Sequence, residues 1–151
     1  MSTVAELMTR KVVMTDPEAT VLEAVRRMTE HSIGALLVVK DQVLKGILSE
    51  RDVARRVVAE GRDPKATQVG EVATPHPVTV KEFESLRRCT ELIREHGFRH
   101  LPVVDGEGHP VGILSARDLH RFVLAGLEAW IERARTARRI EELTDPYEPL
   151  G

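Results

Sequence analysis

Apolar residues recur along the chain in blocks of two periods. Val21, Ala24, Val25 and Met28 are spaced to line one face of a helix, and Leu86, Cys89 and Ile93 repeat that spacing further on. Apolar runs at 35–39 and 43–48, the second interrupted by Lys45, surround Lys40-Asp41-Gln42. Similar runs at 100–104 and 110–114 surround Asp105-Gly106-Glu107-Gly108, so the pattern predicts two hairpins. Short helical lead-ins are expected around 4–8 and 69–73, and short strands at 13–15 and 78–80. Thr20-Val21-Leu22-Glu23 reads as a capping box opening the first amphipathic helix. A further helix follows each hairpin. The first should bury Val53, Ala54, Val57 and Val58 and end at Gly61.

The same order of elements therefore occurs twice, and residues match as well as pattern. Val4-x-Glu6-x-x-Thr9 returns as Val69-x-Glu71-x-x-Thr74, and Glu30-His31 as Glu95-His96. Leu36-x-Val38-Val39 returns as Leu101-x-Val103-Val104. One extra residue falls in the second hairpin turn. The expected organisation is a mixed α+β fold of two β-α-β-β-α units, residues 1–61 and 68–124, joined by a short linker at 62–67. A helical extension and tail fill 125–151. Each unit leaves a sheet face and helical stripes uncovered, which packing one unit on the other would bury.

The strongest identity is a heptad. Gly46-Ile47-Leu48-Ser49-Glu50-Arg51-Asp52 is repeated as Gly112-Ile113-Leu114-Ser115-Ala116-Arg117-Asp118. Each reads as a strand end running into a helix capped by its serine, with the aspartate three residues on able to close the box. Capping alone does not require Arg51 and Arg117 at the same place in both copies. A helix start, a serine hydroxyl and a guanidinium together suit a phosphate. The neighbouring aspartate would repel that phosphate but can accept from sugar hydroxyls. The arrangement is the size of a nucleotide.

Composition narrows the function. The chain has 151 residues, 42% hydrophobic but only 3% aromatic, and a formal net charge of −2. Few aromatic platforms and no basic excess argue against nucleic acid and membrane attachment. Cys89 is the one cysteine, so no internal disulfide and no cysteine zinc site can form; on the apolar helix face it should be a packed thiol. With no targeting segment or membrane span in the pattern, a soluble, cytoplasmic protein is expected.

On these residues the chain resembles the tandem cystathionine-beta-synthase-type (CBS) domain pair, or Bateman module, over roughly 3–123. The carriers are the two Gly-Ile-Leu-Ser-x-x-Asp motifs, Val12-Val13 and Pro77-Val78, and Arg99-His100-Leu101-Pro102-Val103-Val104. The resemblance implies binding of adenosine-containing ligands (AMP, ADP or ATP, sometimes S-adenosylmethionine or NAD-type molecules) as regulatory ligands rather than required cofactors. It implies ribose contacts from Asp52 and Asp118, and phosphate contacts from Ser49 and Ser115 assisted by Arg51 and Arg117. Lys11 to Val13 and His76 to Val78 would line the adenine slot, and Arg99 and His100 form the family's basic pair. Copy one lacks that pair, having Gly34-Ala35 instead, so the two pockets should be unequal. Family pairs associate as dimers, which makes a homodimer the expectation.

No chemistry beyond binding is evident. Gly106-x-Gly108-x-x-Val111-Gly112 runs into a strand and is no dinucleotide loop. His96 and His100 are interrupted by Gly97 and lack a third ligand for zinc. No nucleophile, base and orienting group come together, so a metal-free, non-catalytic sensor is expected. The alternative is a dimeric partner-binding scaffold with a vestigial cleft. From Leu119 a stripe at helical spacing runs past the end of the second unit through Phe122, Val123, Leu127, Trp130, Ile131 and Ala134, with Arg133, Arg135, Arg138 and Arg139 offset by Glu128, Glu132, Glu141 and Glu142. This helix either lies on its own body or anchors a second subunit through Trp130, and Asp145-Pro146 should end it.

Overall fold

The computed structural model describes residues 2–143, with side-chain surroundings to residue 140. The elements in order are α1 (Val4–Leu7), β1 (Met14–Thr15), α2 (Val21–His31), β2 (Ala35–Lys40), β3 (Val43–Ser49), α3 (Glu50–Val53), α4 (Val69–Val72), β4 (Thr74–Pro75), α5 (Leu86–His96), β5 (His100–Val104), β6 (Pro110–Ser115) and α6 (Ala116–Leu143). The mixed α/β class and the two tandem units are as the pattern implied. The expected stop at Asp145-Pro146 and the side chains of Glu141 and Glu142 lie outside the described residues.

The long helices begin where local hydrogen bonding dictates. Thr20 Oγ1 accepts from the Glu23 N–H, and the Glu23 carboxylate accepts from the Thr20 N–H. The Arg88 N–H donates to Ser85 Oγ at the start of α5. Val21, Ala24 and Met28 on α2, and Leu86, Cys89 and Leu92 on α5, are buried. Ile93, expected on that face, is partly buried at its edge.

The first sheet runs β1-β2-β3-β4, with β1 parallel to β2 and the other pairs antiparallel. Around β5 and β6 the same order appears with single bridges on the outside: Val80 beside Val103 and Thr9 beside Ile113. The strand expected at 78–80 is thus reduced to Val80. The chain turns at His76, whose φ is 47°, and Pro77 has no N–H to donate.

The outer pairings exchange the lead-ins. β4, which belongs in sequence to the second copy, pairs with β3 of the first; Thr9 of the first pairs with Ile113 of the second. Their helices follow. Val69 and Val72 of α4 pack with Val21, Ala24, Leu36 and Leu48, while Val4 and Met8 pack with Leu86, Cys89, Leu101 and Leu114. Matching backbone bonds tie each lead-in down: Val69 N–H to the Ala19 carbonyl at 2.8 Å, and Val4 N–H to the Glu84 carbonyl at 2.9 Å. Each core is completed by the other copy, so neither copy keeps its own lead-in.

Two expectations about helices change. After α3 the helix widens into a π-helical turn over Ala54–Val58, with the Ala59 N–H reaching the Ala54 carbonyl. The wider turn keeps Val57 buried but rotates Val58 outward, 71% exposed, and leaves Ala54 exposed as well. The extension does not lie on its own body. α6 packs near its start on α1 and α5, where Leu119 is buried, but Val123, Leu127 and Trp130 are exposed.

Candidate functional site

Each heptad assigns one task to each residue. Gly46 and Gly112 lie where the exchanged lead-in passes. A Cβ at Gly46 would stand 2.7 Å from the Thr74 carbonyl oxygen, and one at Gly112 would stand 2.7 Å from Met8 Sδ and 3.1 Å from the Thr9 carbonyl oxygen. Leu48 and Leu114 are fully buried in the two cores. Ser49 and Ser115 cap α3 and α6. Ser49 N–H donates to Asp52 Oδ2 at 2.9 Å, and Asp52 N–H donates to Ser49 Oγ at 3.2 Å. The second copy repeats this at 3.0 and 3.1 Å. One carboxylate oxygen of each aspartate is thereby spent on its own main chain.

The remaining oxygens differ. Asp52 Oδ1 accepts a long hydrogen bond from Thr74 Oγ1 at 3.4 Å and lies 3.8 Å from Arg56 Nη1. Arg56 also donates to the Val72 carbonyl at 2.9 Å, and the Asp52 side chain is 13% exposed. Asp118 is partly buried and, among the described residues, forms no ion pair. The two carboxylates are therefore inequivalent, with Asp118 the freer. Sequence reading missed Arg56 and Thr74. Arg56 had a signal, four residues after Asp52 on the same helix; Thr74 had none, because its approach depends on the exchange.

His100 joins the two heptads. It begins β5, pairs across to Ser115, and is partly buried. Burial lowers its pKa below the ordinary 6.5; the carboxylates of Glu50 and Asp118 oppose that, and Arg99 and Arg117 reinforce it. Glu50 comes from the first heptad, Asp118 and Arg117 from the second. Glu50 is also the one position at which the heptads differ. Its carboxylate lies over Gly34, 3.4 Å from where a Cβ would be, in the place where copy two has Arg99. Ala116 and Glu50 occupy matching backbone sites, donating to the carbonyls of Arg99 and Gly34. The difference legible in Gly34-Ala35 thus has a second half: the Glu50 carboxylate of copy one favours the protonated form of His100 in copy two.

The heptad arginines and the remaining sequence candidates are mostly exposed. Arg51 and Arg117 are exposed and form no hydrogen bond or ion pair among the described residues. Lys11 and His76 are exposed; the His76 N–H donates to the Lys45 carbonyl at 3.3 Å. Val13 packs at the edge of the first core and Val78 is exposed. Two cavities are formed elsewhere. One of about 370 Å³ lies beside Gly46, Gly70 and Pro75, and one of about 480 Å³ lies between the hairpin tips at Asp41 and His109. Neither is lined by a heptad serine or aspartate. Asp105, Glu107 and His109 bring ligand-type atoms within 4.8 Å of one another. Asp105 Oδ1 accepts from the N–H groups of Glu107 and His109, so the turn itself accounts for that proximity. His96 stacks on Phe98, ring centroids 5.3 Å apart.

The model of the CBS domain matches residues 4–59 and 69–125. The chain belongs to the CBS domain family. It is 40% identical over 119 residues to the CBS domain-containing protein YhcV of Bacillus subtilis (strain 168), covering 79% of this chain and 84% of that one. A putative signal-transduction protein with CBS domains from Burkholderia ambifaria MC40-6 superposes with a TM-score of 0.78 at 39% identity, covering 82% and 95% of the two chains. CBSX2, solved in complex with AMP, superposes with a TM-score of 0.71 at 28% identity, covering 83% and 98%. CBS pairs are regulatory modules. Among the described residues no helix is long and apolar enough to cross a membrane.

Proposed function

We propose that this CBS pair is a regulatory sensor that binds an adenosine ligand, AMP, ADP or ATP, between its repeats without turning it over, and that it works as a homodimer. The observation that carries the reading is that charged groups from both heptads act electrostatically on His100, which pairs across its hairpin with the heptad residue Ser115. Glu50 arrives from one helix start and Asp118 and Arg117 from the other, beside Arg99. Phosphate would fall to Arg117, Arg99, Ser115 and the start of α6, and ribose to the free oxygen of Asp118. Lys11, Val13, His76 and Val78 would frame the base, and Ser49, Arg51 and Asp52 a second, weaker position. The AMP bound to CBSX2 supports an adenine nucleotide. Among the described residues no serine, threonine or cysteine side chain is hydrogen-bonded to a histidine, which supports binding without catalysis.

A thermal-shift panel of AMP, ADP, ATP, S-adenosylmethionine and NADH on ligand-free protein tests it. A ligand at a hundredfold excess over its Kd adds about 2.7 kcal/mol to the folded state. The absence of a shift with every member rejects the sensor. A second reading, a partner-binding scaffold with a vestigial cleft, is favoured by the exposed apolar face of α6. It predicts that changes at Trp130 alter assembly while changes at both aspartates do not.

A further inference from the structure

Among the described residues, a long run of exposed apolar side chains lies on α6. Val123, Leu124, Leu127, Trp130 and Ile131 are between 37% and 62% exposed. At 100° per residue they fall within about one third of the helix circumference, with Ala134 and Ala137 on the same face. Arg121, Glu128, Glu132, Arg135 and Arg139 lie on the other side or at its margin, and Arg138 falls within the stripe just beyond Ala137. The stripe starts at Leu119, buried against the body, and continues past the point where the body ends. Five such side chains leave roughly 500 Å² of apolar surface in water, near the upper end for a patch on a monomer.

We infer that this face is covered by α6 of a second copy, lying antiparallel. The inference rests on the homodimer in the reading above and assigns its contact. Pairing two identical stripes removes roughly 1,000 Å² in all, the floor for a specific interface. Direction follows from size and charge. With the twofold axis near residues 131–132, Trp130 of one helix meets Ala134 of the other, and Leu127 meets Ala137, large against small. The same register sets Glu128 of each helix opposite Arg135 of its partner. A parallel pair would set Trp130 on Trp130 and Arg138, which lies within the stripe, on Arg138. Within one chain Arg135 lies 3.9 Å from Glu132, an exposed pair too weak to compete. Gly126, an interior helix glycine with open space around its Cβ, faces Arg138 of the partner in this register and leaves room for its stem.

Sedimentation of the full chain over a concentration series decides the matter. A dimer is expected. Trp130→Glu and Leu127→Glu should each weaken it about a hundredfold or more, since two buried charges enter per dimer. Both positions are exposed within the chain, so the melting temperature of the dissociated variants reports that the fold is intact. Glu128→Arg should weaken the dimer, and Glu128→Arg combined with Arg135→Glu should restore it. A wild-type monomer throughout, a dimer indifferent to Trp130→Glu, or a double variant no tighter than Glu128→Arg alone each overturn the inference. The panel of adenosine ligands is read on the same samples. Loss of every ligand shift with the α6 dimer intact rejects the sensor and leaves the interface; an intact dimer in Trp130→Glu that still binds ligand does the reverse.

Discussion

Gly46 lies so close to the Thr74 carbonyl oxygen that a methyl group at Gly46 would stand 2.7 Å from it. The neighbour is backbone, fixed by the pairing of Gly46 with Pro75 and Ile47 with Thr74, so it cannot yield without opening the β3–β4 edge. Gly46→Ala should therefore destabilise the fold by about 1–3 kcal/mol, as overpacking does. At Gly112 the nearest atom is the flexible Met8 sulfur, and the cost should be smaller. At Gly106, with nothing within 4 Å, it should be negligible. Denaturant midpoints of the three variants should fall in that order. An unaffected Gly46→Ala would show that the two copies are not held together at this edge.

The heptad shows what the sequence could and could not reveal. Its capping role was legible because Ser49 and Asp52 satisfy each other within one turn of chain, a local transaction that residue identity and spacing specify. The helices α2 and α5 were legible for the same reason, through Thr20, Glu23 and the periodic apolar positions. The role of its glycine was not, since Thr74 reaches Gly46 only because the lead-ins change places, and that pairing spans the whole unit. Val58 was misassigned because periodicity presumes an α-helical turn, and the widened turn at Ala54–Val58 shifts the register by one residue. In the site, the difference between the two copies could be read from Gly34-Ala35 against Arg99-His100. The part played by Glu50 could not, since its influence on His100 crosses from one copy to the other.

Because Asp52 and Asp118 each give one oxygen to a cap, alanine substitution would remove stability and binding together. Asparagine separates them. Its side-chain oxygen can still accept from the Ser115 or Ser49 N–H, while the charged, free oxygen is lost. Asp118→Asn should keep thermal stability within about 1 kcal/mol of the parent yet weaken an adenosine ligand at least about tenfold. Asp52→Asn should weaken it less, because Thr74 and Arg56 already engage that carboxylate. Titration calorimetry with AMP measures both. Equal losses would contradict the inequality of the two positions.

Cys89 should be chemically silent in the native state. It is fully buried on α5, and burial, aided by Glu84, pushes its thiol up to about 11. A raised folded value means that this residue's contribution is whole below the ordinary 9.0 and declines as pH rises toward about 11. Above pH 9 the wild type should therefore lose stability that Cys89→Ala does not lose. At neutral pH, labelling by a thiol reagent should proceed only at the rate of unfolding. Immediate labelling of native protein would place the thiol at an accessible surface instead.

His100 should make both stability and ligand affinity depend on pH, with opposite signs. Its pKa is lowered, chiefly by burial and further by Arg99 and Arg117, against Glu50 and Asp118. The unfolded chain, with the ordinary 6.5, then binds a proton more readily than the folded one. Stability is whole above 6.5 and is lost as pH falls from there through the lower folded value. Subtracting the profile of His100→Gln isolates this residue from the other histidines, and the difference should rise with pH across that window. A phosphate held by Arg99 and Arg117 reverses the local balance. It neutralises the cations that disfavour protonation and adds an anion beside the ring. Binding of AMP should then take up a proton, seen as a dependence of the calorimetric heat on the buffer's ionisation enthalpy, and affinity should strengthen as pH falls. His100→Gln should abolish both. A proton uptake that survives the substitution would place the phosphate away from His100, and with it away from the junction of the two repeats.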